Sequence, residues 1–310
     1  IGGGKRKPSG IIDIATYQSL VNKKDNSITP LIQDYGHIIV DECHHLSAPR
    51  FEMVLNEVRA KYVLGLTATP ERQDGHQKII FMAAGPIRYK VKQSPDEQFT
   101  QTVMIHQLYD IPPAELIKTD ERPKISDAYR WLVDNQQRTS KIVSDASQCV
   151  QNGGHPLVLT ERREHAEYIH SRLTEMGIST VVLKGAMKAA ERKNADNHLQ
   201  STQVVVATGK YVGEGFDLPR LDTLFLAMPI AWKGTLAQYA GRIHRESEGK
   251  TQVTIHDYVD YALPMLQRMF KKREKSYKAM GYALEYFEGN SDKQPSLKLE
   301  DASSSNSKSN

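Results

Sequence analysis

Cysteine is nearly missing from this chain. Two in 310 residues, Cys43 and Cys149, exclude a disulfide framework and fit a reducing compartment. Metal-ligand spacing is missing too. Cys43, His44 and His45 are contiguous, and no second Cys/His cluster completes a zinc site. No apolar run reaches transmembrane length, so no membrane partner and a cytoplasmic location are expected, nucleoid-associated if the source is bacterial. A phosphate loop of the form G-x-x-x-x-G-K-S/T is also absent. Gly2 to Lys5 is followed by Arg6 instead of a hydroxyl residue, and Gly249-Lys250-Thr251 has His244 where the first glycine is required. Charge excess is small: +4 net with a pI ≈ 8.8, compatible with a nucleic-acid partner without demanding one.

What is present is an ordinary globular composition, 39% hydrophobic and 25% charged, in a chain long enough for two domains. The key stretch is Gly36 to His45, G-H-I-I-V-D-E-C-H-H. Its apolar run, Ile38-Ile39-Val40, reads as a strand buried on both faces of a parallel sheet. Asp41 and Glu42 would then sit beyond the carboxyl end of that strand, where open α/β sheets bind ligands. Two adjacent acids there can divide phosphate chemistry: one holds Mg²⁺ through water, the other orients or deprotonates an attacking water. The same pair also suits a helix N-cap and first turn.

Taken in order, the chain opens with a basic glycine-rich loop and a short strand, Ile11 to Thr16. After the acids, Ser47 caps an expected helix with Pro49 in its first turn and Phe51, Val54, Leu55 and Val58 on one face. A second buried strand, Tyr62 to Leu66, ends in T-A-T-P-E-R, whose hydroxyls could hydrogen-bond the acids. A polar connection follows. The pattern then gives a strand at Val103 to Leu108 and two helices, Ser126 to Asn135 and Thr139 to Gln151. Strands at Pro156 to Thr160, Thr180 to Leu183, Gln203 to Ala207, Leu224 to Met228 and Val253 to His256 alternate with helices, which implies βαβ units. The expected divisions are 1–92, a linker at 93–103, 104–262, a helical segment at 263–288, and a disordered Ser/Asn/Lys-rich tail at 289–310.

In the second half, Gly213 and Gly215 let the backbone approach a ligand, and Asp217 is placed for a ribose hydroxyl. Arg242 and Arg245 stand three apart in Q-Y-A-G-R-I-H-R and are expected to share a helix face. Two neighbouring guanidiniums suit a polyanion, or a solvated basic face.

Together, DECHH at Asp41 to His45, TATPER at Thr67 to Arg72, VVVATGKYVGEGFDLP at Val204 to Pro219 and QYAGRIHR at Gln238 to Arg245 resemble a superfamily 2 helicase or translocase of the DExH kind. IATYQSL at Ile14 to Leu20, LTERREH at Leu159 to His165 and LKGAM at Leu183 to Met187 point to its XPB-like or restriction-type DNA helicase branch.

The resemblance implies two α/β, RecA-like parallel-sheet domains that bind ATP and Mg²⁺ between them and DNA, or RNA, across both. Asp41 would be the acid linked to Mg²⁺ through water, and Glu42 the residue that activates water. His44 would communicate with Gln238, while Thr67 and Thr69 would couple nucleotide state to closure. Gly215 and Asp217 would line the nucleotide site. Arg242 and Arg245 would reach the γ-phosphate, with Arg245 as the arginine finger. Thr16, Thr160, Arg163, Lys184 and Thr208 would contact backbone phosphates. In the family the phosphate loop precedes the first acid motif. The chain is therefore expected to be the C-terminal part of a longer helicase, lacking the N-terminal half of its first domain and hydrolysing ATP poorly by itself. A nucleic-acid- or partner-binding module without turnover is the alternative.

Overall fold

The computed structural model describes residues 1–2, 7–22, 24–43, 49–67, 77–90, 99–117, 123–185, 187, 189–209, 217–230 and 233–288. The chain forms two compact units, Ile1–Gln93 and Ser94–Asn310.

The first unit begins with a single helical turn, α1 (Tyr17–Leu20), and a 3-10 turn at Pro30–Asp34. Strand β1 (His37–Val40), helix α2 (Pro49–Asn56), strand β2 (Tyr62–Gly65) and helix α3 (Gln77–Ala84) follow. β1 and β2 pair in parallel, with Val40 opposite Gly65. Val40, Cys43 and Ile80 form a small core, joined by Ile38, Leu55, Ala83 and Ala84. Two expectations are corrected. Ile11 to Thr16 is not a strand. Asp13 instead accepts from Ser9 N, Gly10 N and the Tyr35 hydroxyl, which turns the backbone away from extended pairing. Nor are β1 and β2 buried on both faces: Ile39 is 59% and Tyr62 58% exposed, because the described residues of this unit cover only one side.

The second unit is a seven-stranded, wholly parallel sheet. Its elements are β3 (Thr100–Leu108), α4 (Ala114–Ile117), α5 (Ile125–Asp134), α6 (Gln136–Gln151), β4 (Pro156–Thr160), α7 (Arg163–Glu175), β5 (Thr180–Leu183) and α8 (Ala189–His198). Then come β6 (Val204–Thr208), β7 (Thr223–Leu226), α9 (Lys233–Ile243), β8 (Gln252–Asp260), α10 (Pro264–Met280) and β9 (Ala283–Glu288). The strand order is β5-β6-β4-β7-β8-β3-β9. Continuous apolar strands explain the architecture: every residue of β4, β6 and β7 is buried, so helices must cover both faces. One face holds Ile142, Val143, Ala166, Ile169 and Leu173 of α6 and α7. The other holds Leu236, Tyr239, Ile243, Phe270 and Tyr277 of α9 and α10.

Three differences from the sequence reading stand out. β3 starts at Thr100, inside the expected linker. Residues 283–288, expected as helix, form an edge strand paired with β3, because Gly281 at φ 90 ends α10 and reverses the chain. Arg242 and Arg245 do not share a helix, since α9 ends at Ile243. The expected disordered tail lies outside the described residues.

Buried ion pairs fix the segment leading into α9. Arg273 binds Asp257 through Nε at 2.7 Å and Nη2 at 2.9 Å, and donates from Nη1 to the Ile230 carbonyl at 2.9 Å. Tyr277 also donates to Asp257, at 2.9 Å. Arg138 bridges Asp260 at 3.1 Å and the Ala227 carbonyl at 2.6 Å. A further internal set stacks His106 on His256 with ring nitrogens 3.0 Å apart, beside Asp145, which accepts from Tyr258 and Lys141. Among the described residues, no helix is long and apolar enough to cross a membrane.

Candidate functional site

In the first unit the acid pair sits immediately beyond β1. Leu66 N donates to Val40 O at 2.8 Å, and Cys43 N returns a bond to Leu66 O at 2.9 Å. These bonds place Asp41, Glu42 and Thr67 side by side at the carboxyl ends of two parallel strands. Gly65 makes the approach possible: a Cβ there would lie 3.0 Å from both Cys43 Sγ and Ala84 Cβ. Glu42 has φ 50, a left-handed conformation that costs a non-glycine residue roughly 1 kcal/mol or more. Its N–H donates to Asp41 Oδ1 at 2.9 Å, which helps hold the turn. Asp41 is exposed and Glu42 half-buried, so one carboxylate meets solvent while its neighbour is sheltered. His44 and Thr69 lie outside the described residues. Thr16 is exposed at the start of α1.

In the second unit, candidate residues collect at the carboxyl ends of β4, β5 and β6, where the strand order reverses direction. Thr160 and Thr208 are register partners, and Thr208 accepts from Gly185 N at 3.3 Å, next to Lys184. Arg163 is exposed at the first position of α7. Two of these side chains are engaged elsewhere. Thr160 is 1% exposed and its hydroxyl lies 3.0 Å from His165 Nδ1; Thr139 holds the other ring nitrogen at 3.1 Å. Burial pushes the His165 pKa down to about 3, so the ring is neutral. The expectation of a phosphate contact from the Thr160 side chain is thus at odds with its inward position. Lys184 pairs with Glu167 at 2.7 Å, a surface contact that a polyanion could displace.

Helix α9 brings Gln238, half-buried, and Tyr239 across the end of β6. A Cβ on Gly209 would fall 2.2 Å from the Tyr239 hydroxyl and 2.7 Å from Glu161 Oε1, so only glycine fits under this helix. Burial, then Glu161, pushes the Tyr239 phenol far above its ordinary pKa. Arg242, half-buried, is in the last turn of α9. Arg245 lies past its end, and its Nε sits 3.2 Å from Asp217 Oδ1. Two residues separated by the whole of β7 and α9 are thereby joined. Gly215 lies outside the described residues. The sequence alone gives Glu161 and Tyr239 no role, and Lys250 stands in it only as part of the rejected Gly249-Lys250-Thr251 string. Glu161 and Tyr239 stand inside the quoted motifs, which was the available signal.

The geometry agrees with the comparisons. Residues 1–72 match the family model "Type III restriction enzyme, res subunit", and residues 137–247 match "Helicase conserved C-terminal domain". A DNA 3'-5' helicase XPB of Kineococcus radiotolerans is 31% identical over 235 residues, covering 70% of this chain and 39% of that protein. A protein of Acanthamoeba polyphaga mimivirus named as an ATP-dependent RNA helicase is 25% identical over 297 residues, covering 88% of this chain and 52% of that protein. The chain therefore spans about half, or less, of these relatives. Among solved structures, a fragment of an HsdR subunit of a type I restriction enzyme from Vibrio vulnificus has the same fold, with a TM-score of 0.59 at 21% identity over 81% of this chain and 47% of that one. The two family models match in the order of the motifs, the first over the β1–β2 unit and the second over the parallel sheet, so this chain is similar to restriction-type and helicase proteins over those residues.

Proposed function

We propose that this chain carries much of an ATP-driven helicase or translocase motor, with DNA as its track, and that the phosphate loop is supplied by residues outside it. The observation that carries the reading is the placement of Asp41, Glu42 and Thr67 at the carboxyl ends of adjacent parallel strands. In this reading Asp41 and Glu42 serve the metal and the attacking water of ATP hydrolysis, and Arg242 and Arg245 serve its phosphate.

Asp41 fits a water-mediated contact to Mg²⁺. One carboxylate oxygen accepts the Glu42 N–H, and the exposed carboxylate keeps acceptor capacity for metal-bound water. Bound there, Mg²⁺ would neutralise charge on the β- and γ-phosphates. Glu42, held in its left-handed turn, would orient and deprotonate the attacking water. Arg245 would stabilise charge developing on the γ-phosphate, and an arginine finger is worth about 10³ to 10⁵ in rate. Asp217 holds that guanidinium until nucleotide arrives and offers a carboxylate to the ribose. Arg163 and Lys184 would contact backbone phosphates, which sets affinity without reading sequence.

The test is ATP hydrolysis with and without DNA in the ATPase-competent protein that contains this chain. Glu42→Gln should abolish DNA-stimulated hydrolysis and spare DNA binding; unchanged hydrolysis refutes the assignment. The missing phosphate-loop motif favours a second reading, a binding module without turnover. An ATPase assay on the 310 residues themselves, with Glu42→Gln as control, separates the two. Competition between DNA and RNA decides the track, since discrimination requires sensing the 2′-hydroxyl.

A further inference from the structure

Lys250 lies in the Gly249-Lys250-Thr251 string that fails as a phosphate loop, and its side chain serves the protein itself. Its Nζ donates to three backbone carbonyls: Leu221 at 2.5 Å, Arg245 at 2.8 Å and Pro219 at 3.2 Å. An ammonium has three N–H donors and no acceptor, so its donor set is fully used. It also stands 5.4 Å from the centre of the Phe99 ring.

The three carbonyls belong to two separate segments. Pro219 and Leu221 close the turn that presents Asp217, while Arg245 is the residue whose guanidinium meets Asp217. That side-chain pair is weakly held, because its members are 55% and 56% exposed and solvent screens them. The backbone beneath it is held firmly. Leu218 and Leu221 are 3% and 1% exposed, and His244 Nε2 lies 2.7 Å from the buried Tyr282 hydroxyl. Arg245 itself lies beyond α9, so helical hydrogen bonds do not fix it. Burial pushes the Lys250 pKa down to about 8, against the opposing pull of Asp222. The carbonyls offset that cost while the amine is charged.

We propose that Lys250 is a positioning residue that locks the Arg245 segment to the Asp217 turn and so aims the Arg245 guanidinium at the terminal phosphate of a nucleotide. This rests on the ATPase reading above. A side chain without donors at this position leaves three carbonyls unserved, and the arginine loses its backbone anchor while keeping its chemistry.

The experiment compares kcat and KM for ATP in the ATPase-competent protein carrying Lys250→Met, Lys250→Arg or Arg245→Ala. Misplacing a reacting group by an ångström costs up to about 100-fold, so Lys250→Met should lower kcat by about 10- to 100-fold with KM changed less than about threefold. Lys250→Arg, which keeps donors, should recover most of the loss. In this chain, amide hydrogen exchange should quicken over residues 217–221 and 244–248 in Lys250→Met, a reading independent of ATP. Unchanged exchange in both segments overturns the lock. So does a Lys250→Met kcat within about twofold of the parent while Arg245→Ala abolishes hydrolysis. If Arg245→Ala hydrolyses ATP normally, the ATPase reading fails, and the aiming role with it.

Discussion

Arg245 reaches Asp217 across 3.2 Å, linking the residue just past α9 to the turn before β7. Both side chains face solvent, so the pair contributes little to stability. Asp217→Ala should shift stability by about 1 kcal/mol or less. In the ATPase-competent protein it should still slow hydrolysis, though less than Arg245→Ala does. Melting curves and kcat on both variants check this; a large loss of stability with intact kcat would make the pair a structural brace.

Gly209 gives a sharper steric test. Alanine there would put a methyl 2.2 Å from the Tyr239 hydroxyl and 2.7 Å from Glu161. Helix α9 must then move away from β6, carrying Gln238 and Arg242 with it. Gly209→Ala should cost about 1–3 kcal/mol, and adding Tyr239→Phe should return part of it. Urea unfolding of the single and double variants measures the recovery. Both tryptophans, Trp131 and Trp232, belong to the second unit, so their fluorescence reports on it.

The buried Arg273–Asp257 pair should be costly to break from one side. Asp257 is fully buried, receives Arg273 twice and Tyr277 once, and through Arg273 anchors the Ile230 carbonyl ahead of α9. Asp257→Ala leaves a buried guanidinium without its counter-ion, a loss of about 3–5 kcal/mol. The tryptophan-monitored urea midpoint should fall accordingly.

His165 makes stability depend on pH. Its folded pKa of about 3 lies below the ordinary 6.5, so the unfolded chain binds a proton that the native ring refuses. This contribution is fully present above pH 6.5 and is lost as pH falls toward 3. Between pH 7 and pH 5 the loss from this ring is about 2 kcal/mol. His165→Asn should flatten that part of the profile, whatever its stability at pH 7. An unchanged slope would show that the ring is protonated in the folded protein.

Much of this architecture is written in local pattern. The apolar runs of β4, β6 and β7 announce a sheet covered on both faces, and Asn135 caps α6 by accepting from Arg138 N at 3.0 Å. The failures come from long-range partners. Ile11 to Thr16 has strand composition, yet the bonds to Asp13 from Ser9 and Tyr35 decide its shape. Residues 283–288 become a strand only because β3, far away in sequence, offers an edge that pairs Thr102 with Ala283. Residue types and spacing single out Asp41 and Glu42 as candidates in the first unit and Asp217 and Arg245 in the second. They could not show that Arg245 leaves its helix, that Thr160 turns inward to His165, or that Lys250 binds carbonyls.

Phosphoryl transfer by these residues is read from the ATPase rates of Glu42→Gln, Arg245→Ala and the double variant, in the competent protein and with DNA present. If both residues serve one phosphoryl transfer, each single change removes about 10³-fold or more, and the double variant is hardly slower than the worse single one. Hydrolysis that survives both changes, or two small effects that simply multiply, would contradict it.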